Sequence, residues 1–201
     1  MKSKFSKDYQ ELIEIYKNLH AKGSYWGNAN STFDGKSLKF FFKAIKQVIE
    51  STKSTSLIDF GCGKAKYYFK KIKVNNIEFQ NVSTYWNIND FYLYDPGFEK
   101  FNKYPTSKKD GVICIDVVEH IPPEDVIQFI NDIFKLANKF LFIVIACYPA
   151  NKVLPDKRNA HLTIKNPEEW RKIINNVKSK YPNISPFVIC TTDRNEFIPV
   201  S

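Results

Sequence analysis

Two glycines stand one residue apart, directly after an apolar stretch that carries an acid, in Leu57-Ile58-Asp59-Phe60-Gly61-Cys62-Gly63-Lys64-Ala65-Lys66. Glycines so spaced let a backbone turn sharply and approach a ligand closely. A P-loop phosphate cradle needs a glycine five positions before a Gly-Lys pair and Ser or Thr after it. Gly63-Lys64 is preceded at that distance by Ile58 and followed by Ala65, so that chemistry is excluded. The dinucleotide pattern G-x-G-x-x-G meets Lys66 where its third glycine belongs, and it leaves Asp59 without a task. An acid two residues before the first glycine, in the frame Asp59, Gly61, Gly63, Ala65, suits a ligand with a cationic end. The plainer reading of Asp59 is an acid that only orients the loop.

Other residues with chemistry follow apolar runs. Asp95 ends "YLYD", Asp116 ends "GVICID", and Glu119-His120 follows three residues later. Tyr148 comes directly after "FLFIVIAC", and His161 lies in the next loop beside Asp156, Arg158 and Asn159. An imidazole is well matched to proton abstraction near neutral pH, which makes His161 the best-placed base. His120 and Tyr148 are candidates to meet a substrate. Each also has a structural reading: Asp116 as a cap for the turn before the next helix, Glu119-His120 as a turn pair, Tyr148 as a core edge, His161 as a surface residue, and His20 as a structural or lid contact.

The elements that must position these residues alternate. Tyr9, Leu12, Ile13, Tyr16 and Leu19 recur at three and four, which predicts a helix over 6–20, and a second helix starts near Ser37. Strands are expected at 56–60, 91–94, 111–115 and 140–147, the last continuously apolar and so covered on both faces. Helices are expected from Lys64 to Lys73, from Pro122 to about Asn138, and after the Asn166-Pro167-Glu168-Glu169 cap. "PFVICTT" and "EFIPV" form a terminal hairpin. This is an α/β pattern: a mainly parallel sheet of about seven strands with helices on both faces and an antiparallel C-terminal hairpin. In such sheets ligands bind at the carboxyl ends of the strands, where the acids and glycines named above fall.

The 201 residues suit one domain, a helical cap over 1–54 and a core over 55–201. No stretch has the length and apolarity of a membrane span, and the first residues lack the pattern of a secretory signal, so a cytoplasmic protein is expected. Cys62, Cys114, Cys147 and Cys190 are too far apart in sequence for a compact zinc or disulfide framework; they are read as reduced and mostly buried, and no metal centre is expected. Residues 1–75 carry 15 lysines against 6 acids, and the remainder is neutral. That asymmetry fits either attraction to a polyanion such as RNA or a solvated helical face.

"LIDFGCGKA" resembles the first motif of the class I S-adenosylmethionine-dependent methyltransferases, "YLYDPG" (92–97) their ribose-binding strand end, and "DGVICIDVVEHIPPED" (110–125) the strand and helix start that pack along the cofactor. The likeness covers about residues 55–150, and 146–170 resembles a substrate-side loop of one branch. The resemblance implies a Rossmann-like, doubly wound fold and S-adenosylmethionine held by Asp59, Gly61, Cys62, Gly63, Asp95, Asp116 and Val117. The positions of Tyr148 and His120 then make them the expected acceptor contacts, and that of His161 makes it the expected catalytic base. A small-molecule or sugar-like acceptor is expected first. RNA or protein methylation through the basic N-terminal third, and cofactor binding without transfer, are the alternatives.

The sequence departs from the pattern in two places. Ala65 replaces a third glycine, and Asp95 lies 34 residues after Gly61 where roughly 20 is expected. Glu78 is nearer that distance, but "FYLY" leads directly into Asp95, which is preferred. Residues 74–90, with Tyr85 and Trp86, are then expected to be an insertion near the pocket, sharing acceptor contacts with 1–54 and 147–165.

Overall fold

The continuously apolar run forms β6 (Ala137–Ala146) in the middle of the sheet, in a computed structural model that describes residues 5–25, 27–193 and 196–200. Its side chains alternate between two cores. Leu141, Ile143 and Ile145 face one, while Phe140, Phe142 and Val144 face the other. Both faces therefore need helices. The first is covered by α4 (Val126–Leu136) and α5 (Pro167–Lys178), through Phe129, Ile133, Trp170 and Ile174. The second is covered by α2 (Leu38–Ser51) and the short α3 (Val82–Trp86), through Phe41, Ile45 and Trp86. The expected cap of α5 is present, with Asn166 and Glu169 bonding reciprocally in a capping box.

The remaining strands are β1 (Ser56–Phe60), β4 (Asp90–Tyr94), β5 (Lys109–Ile115), β7 (Ser185–Thr191) and β8 (Phe197–Pro199), in sheet order β4-β1-β5-β6-β7-β8. All pairings are parallel except β7 with β8, the expected terminal hairpin. Arg194 and Asn195 of its connection lie outside the described residues. Among the described residues the sheet has six strands, where about seven were expected. The chain passes from β1 to one neighbour, β4, and then to the opposite neighbour, β5, so the order reverses at β1 and opens a crevice at the carboxyl ends there.

The helix expected over Lys64–Lys73 does not form. Ala65 sits in the left-handed region at φ 50°, which blocks a continuous helix, and only a single 3₁₀ turn over Lys66–Tyr68 follows. The chain then makes β2 (Ile72–Val74) and β3 (Ile77–Phe79), a separate two-stranded antiparallel sheet. Asn75 and Asn76 form its turn, both at positive φ, a conformation asparagine tolerates. Residues 74–90 do not line the crevice. They brace α2 instead: Trp86 Nε1 donates to Phe42 O at 2.8 Å and Tyr85 packs edge-on against Phe42.

Helix α1 (Lys7–Lys22) crosses over the crevice, its N-terminus capped by Ser6. No helix among the described residues is long and apolar enough to cross a membrane.

Gly111 in β5 marks the tightest spot between strands. A Cβ there would stand 2.2 Å from the Phe140 ring and 2.7 Å from Leu57. Gly111→Ala is therefore expected to destabilise the fold by about 1–3 kcal/mol through overpacking. The check is urea unfolding, where the midpoint should fall with the slope unchanged. An unmoved midpoint would show that the Phe140 ring yields freely.

Candidate functional site

The turn after β1 is built by contacts its sequence does not reveal. Gly61 and Gly63 both have positive φ, 87° and 57°. A Cβ on Gly61 would stand 2.4 Å from Val117, and one on Gly63 would stand 2.3 Å from the Phe33 carbonyl oxygen. The glycines thus let two other parts of the chain lie against the turn. Lys64 N donates to that same Phe33 oxygen at 2.8 Å, and the Gly61 and Cys62 amides both reach Tyr94 O. Cys62 is buried, which pushes its thiol well above the usual range.

Asp95 fixes the turn from the next strand end. Its Oδ2 accepts from Gly63 N at 2.8 Å and its Oδ1 from Gly97 N at 2.9 Å. The second strand of the sheet is therefore β4, and Asp95 is the acid at its carboxyl end. Glu78 lies in β3, outside that sheet, where it pairs with Lys71 at 2.7 Å.

Three strand ends bring acids to the crevice, Asp59 at the end of β1, Asp95, and Asp116 just after β5 at φ 54°, and Asp34 and Glu119 line it as well. Removal from water raises the pKa of each of the three strand-end acids. Asp59 is pushed up to about 7 by burial, with the Asp95 charge adding to it. Lys64 is the nearby cation, yet its Nζ is spent on Thr32 O at 2.7 Å and on the carbonyl of His20 at 3.4 Å. Around the glycine turn, where acids outnumber the one tied-up lysine, a cationic ligand is favoured over a phosphate; Lys36 and Lys152 line another part of the cavity.

These groups open into one cavity of about 810 Å³, within the range of small-molecule sites. The glycine turn, Val117 and the three acids line it together with Tyr148, His120 and His161. Helix α1 and residues 150–162 close it from the other side: Leu12, Leu154 and Ala160 form a small core of their own. Arg158 clamps this roof, with its Nη1 on both oxygens of Asp8 at 2.7 and 2.8 Å. Ser6 at the head of α1 ties to Asp125 through backbone and hydroxyl. Of the segments expected to surround an acceptor, 1–54 and 147–165 reach the cavity, and 74–90 does not.

His120 and His161 meet edge to face, their ring centroids 4.9 Å apart. His120 Nδ1 lies 2.8 Å from Ala160 O and 2.8 Å from the Tyr16 hydroxyl. A carbonyl can only accept, so Nδ1 carries the proton and Nε2 is left unprotonated. By the same reasoning His161 Nδ1, 2.5 Å from Tyr148 O, donates, and its Nε2 lone pair is free. Burial lowers both imidazoles, His120 to about 3, with the charge of His161 adding to the effect. Tyr148 thus contributes its carbonyl to orienting His161, while its ring lies 5.9 Å from the imidazole.

Three participants were not singled out from the sequence. Tyr16 counts as one more apolar residue of the α1 stripe, yet its hydroxyl reaches His120 across 104 residues. Lys36 and Lys152 line the cavity and were indistinguishable from the other lysines. His20 is buried, with its Nε2 3.6 Å from Asp95 Oδ1. No protein-family model and no curated protein matches this chain.

Proposed function

We propose that the protein is an S-adenosylmethionine-dependent methyltransferase with a Rossmann-like core, acting on a small acceptor. One observation carries this reading: a single cavity joins the glycine turn and its three acids to a pair of imidazoles with free Nε2 atoms. The residues present fit the cofactor. Asp59 and Asp116 complement its sulfonium and ammonium charges. Asp95, already oriented by two amides, has further lone pairs for a ribose diol. Val117 and the Cys62 turn supply an apolar wall.

When bound, the cofactor supplies a methyl group on an already activated carbon, so the protein's work is alignment, which can contribute roughly 7–11 kcal/mol. Helix α1 and the Arg158 clamp hold the acceptor side and exclude water. His161 Nε2 can take the proton that an acceptor hydroxyl or amine must lose. A roofed cavity supports a small, sugar-like acceptor over a polymer, and Lys36 with Lys152 suits one that carries an anionic group. Burial and the neighbouring Lys36 charge lower the Lys152 pKa, an effect that a bound anion would oppose.

S-adenosylmethionine at about 100 times its dissociation constant should stabilise the protein by roughly 2.7 kcal/mol. For a chain of this size that is about 5–10 °C in melting temperature. NAD and ATP should shift it much less, and an equal shift from NAD would sink the assignment. Incubation with methyl-labelled cofactor and a cell extract then tests transfer. Binding without any labelled product would point to a cofactor-binding protein instead, and labelled RNA lost steeply with salt to a polyanion acceptor.

A further inference from the structure

Proton transfer to one imidazole leaves Glu119 and His120 unused, and Glu119 is the most costly of the three to bury. Its side chain is fully buried in the cavity wall. Oε1 accepts from Ala146 N at 3.2 Å, while Oε2 finds no hydrogen-bond partner among the described residues. Leaving a buried carboxyl oxygen without a partner is unfavourable, which asks for a ligand that satisfies it.

The two histidines supply the complement. Each donates Nδ1–H to a backbone carbonyl, His120 to Ala160 O and His161 to Tyr148 O, and each keeps an Nε2 lone pair. Histidines that bind metals are oriented in this way, the distal N–H tied to a carbonyl so that the other nitrogen is fixed as the ligand. One donor atom from each of Glu119, His120 and His161 lies within 4.8 Å of the other two.

We infer that Glu119, His120 and His161 form a binding site for a divalent transition-metal ion. Two imidazoles and one carboxylate suit zinc, iron or cobalt; magnesium, which prefers oxygen ligands, fits poorly. Three protein ligands leave coordination positions open toward the cavity. The ligands come from the 3₁₀ turn after β5 (Val118–His120) and the loop after β6, which are tied together by Thr163 N on Glu119 O at 2.9 Å and by His120 Nδ1 on Ala160 O at 2.8 Å. Tyr16 of α1 touches His120, which links the roof to the site.

Use of the ion in catalysis rests on the methyltransferase reading; binding of the ion does not. Held by Glu119, His120 and His161, the ion would supply a Lewis acid that lowers the pKa of an acceptor hydroxyl in the cavity. His161 would then serve as a ligand, and the metal would replace it as the means of activating the acceptor.

The test is a titration of chelator-treated, full-length protein with Co²⁺, read by visible absorption, and with Zn²⁺, read by calorimetry, with Mg²⁺ as a control. One equivalent of Co²⁺ should bind, with bands of a nitrogen- and oxygen-ligated ion. Loss of an outer-sphere partner alone weakens metal sites about 10–100-fold, so Glu119→Gln and His161→Gln should each weaken binding at least that much. Both variants are near-isosteric or border the cavity, and circular dichroism with melting checks that each is folded. If Glu119→Gln does not fold, His161→Gln alone decides. Stoichiometric binding weakened in the folded variants supports the site. No saturable binding, or equal affinity in wild type and folded variants, overturns it. S-adenosylmethionine binding measured on the same samples reports separately on the methyltransferase reading.

Discussion

Turnover is expected to fall about 10²–10⁴-fold when His161 is replaced by alanine, with cofactor affinity little changed. The size follows from position. His161 Nδ1 is tied to Tyr148 O at 2.5 Å, which fixes the ring and leaves Nε2 as an acceptor or ligand in the cavity wall. The imidazole is not a cofactor contact in the proposed arrangement, so a loss of binding in step with rate would argue for a structural effect. The pH profile separates the two roles. Burial lowers the His161 pKa below the usual 6.5. As a free base it would be active when deprotonated, so the rate would be flat above that range and fall as pH drops through the lowered pKa; His161→Ala would lose that acidic limb. As a metal ligand, His161→Ala would lose Co²⁺ binding together with rate. Nearly full turnover in a folded His161→Ala protein, on its true acceptor, would exclude both roles.

Asp95→Ala should weaken S-adenosylmethionine binding by roughly 1.5–3 kcal/mol, about 10- to 150-fold in dissociation constant, the scale of a hydrogen bond to a charged group. Two effects combine. The acceptor for a ribose hydroxyl is gone, and the amides of Gly63 and Gly97 lose the carboxylate that holds the turn. Asp95→Asn, which keeps one carbonyl oxygen, should recover part of the loss. Glu78→Ala should leave binding unchanged, since Glu78 sits on the separate β2–β3 sheet against Lys71. Isothermal titration of the three variants settles the ranking. Wild-type affinity in Asp95→Ala would remove Asp95 from the cofactor site.

Much of the framework is dictated locally. Strand β1 is bounded by a polar loop and by glycines, and β6 by its continuous apolar run. The capping box of α5 is written in four consecutive residues, and the hairpin of β7 and β8 in two short apolar runs. These readings succeed because period, cap and turn chemistry act within a few residues of one another. Asp59, Asp95, Asp116, His120 and His161 were legible for a related reason: each ends a strand, follows one or lies in the loop beyond it, and a parallel sheet brings such positions together at one edge.

Tertiary structure decided the rest. Lys64–Lys73 has helical composition, but Ala65 is held left-handed where residues 33–35 lie against the glycine turn, 30 residues earlier in the chain. Which of Asp95 and Glu78 ends a strand of the main sheet depended on which strand pairs with β1, a non-local hydrogen-bond ladder that spacing cannot reveal. Tyr16 reads as part of an apolar stripe until α1 is laid across the cavity and its hydroxyl meets His120. The convergence of Glu119, His120 and His161 likewise needs β5 and β6 side by side, so two adjacent residues and a histidine 41 positions later share one wall. Each of these outcomes turns on contacts between segments distant in sequence, where the energy of burial and hydrogen bonding outweighs local propensity.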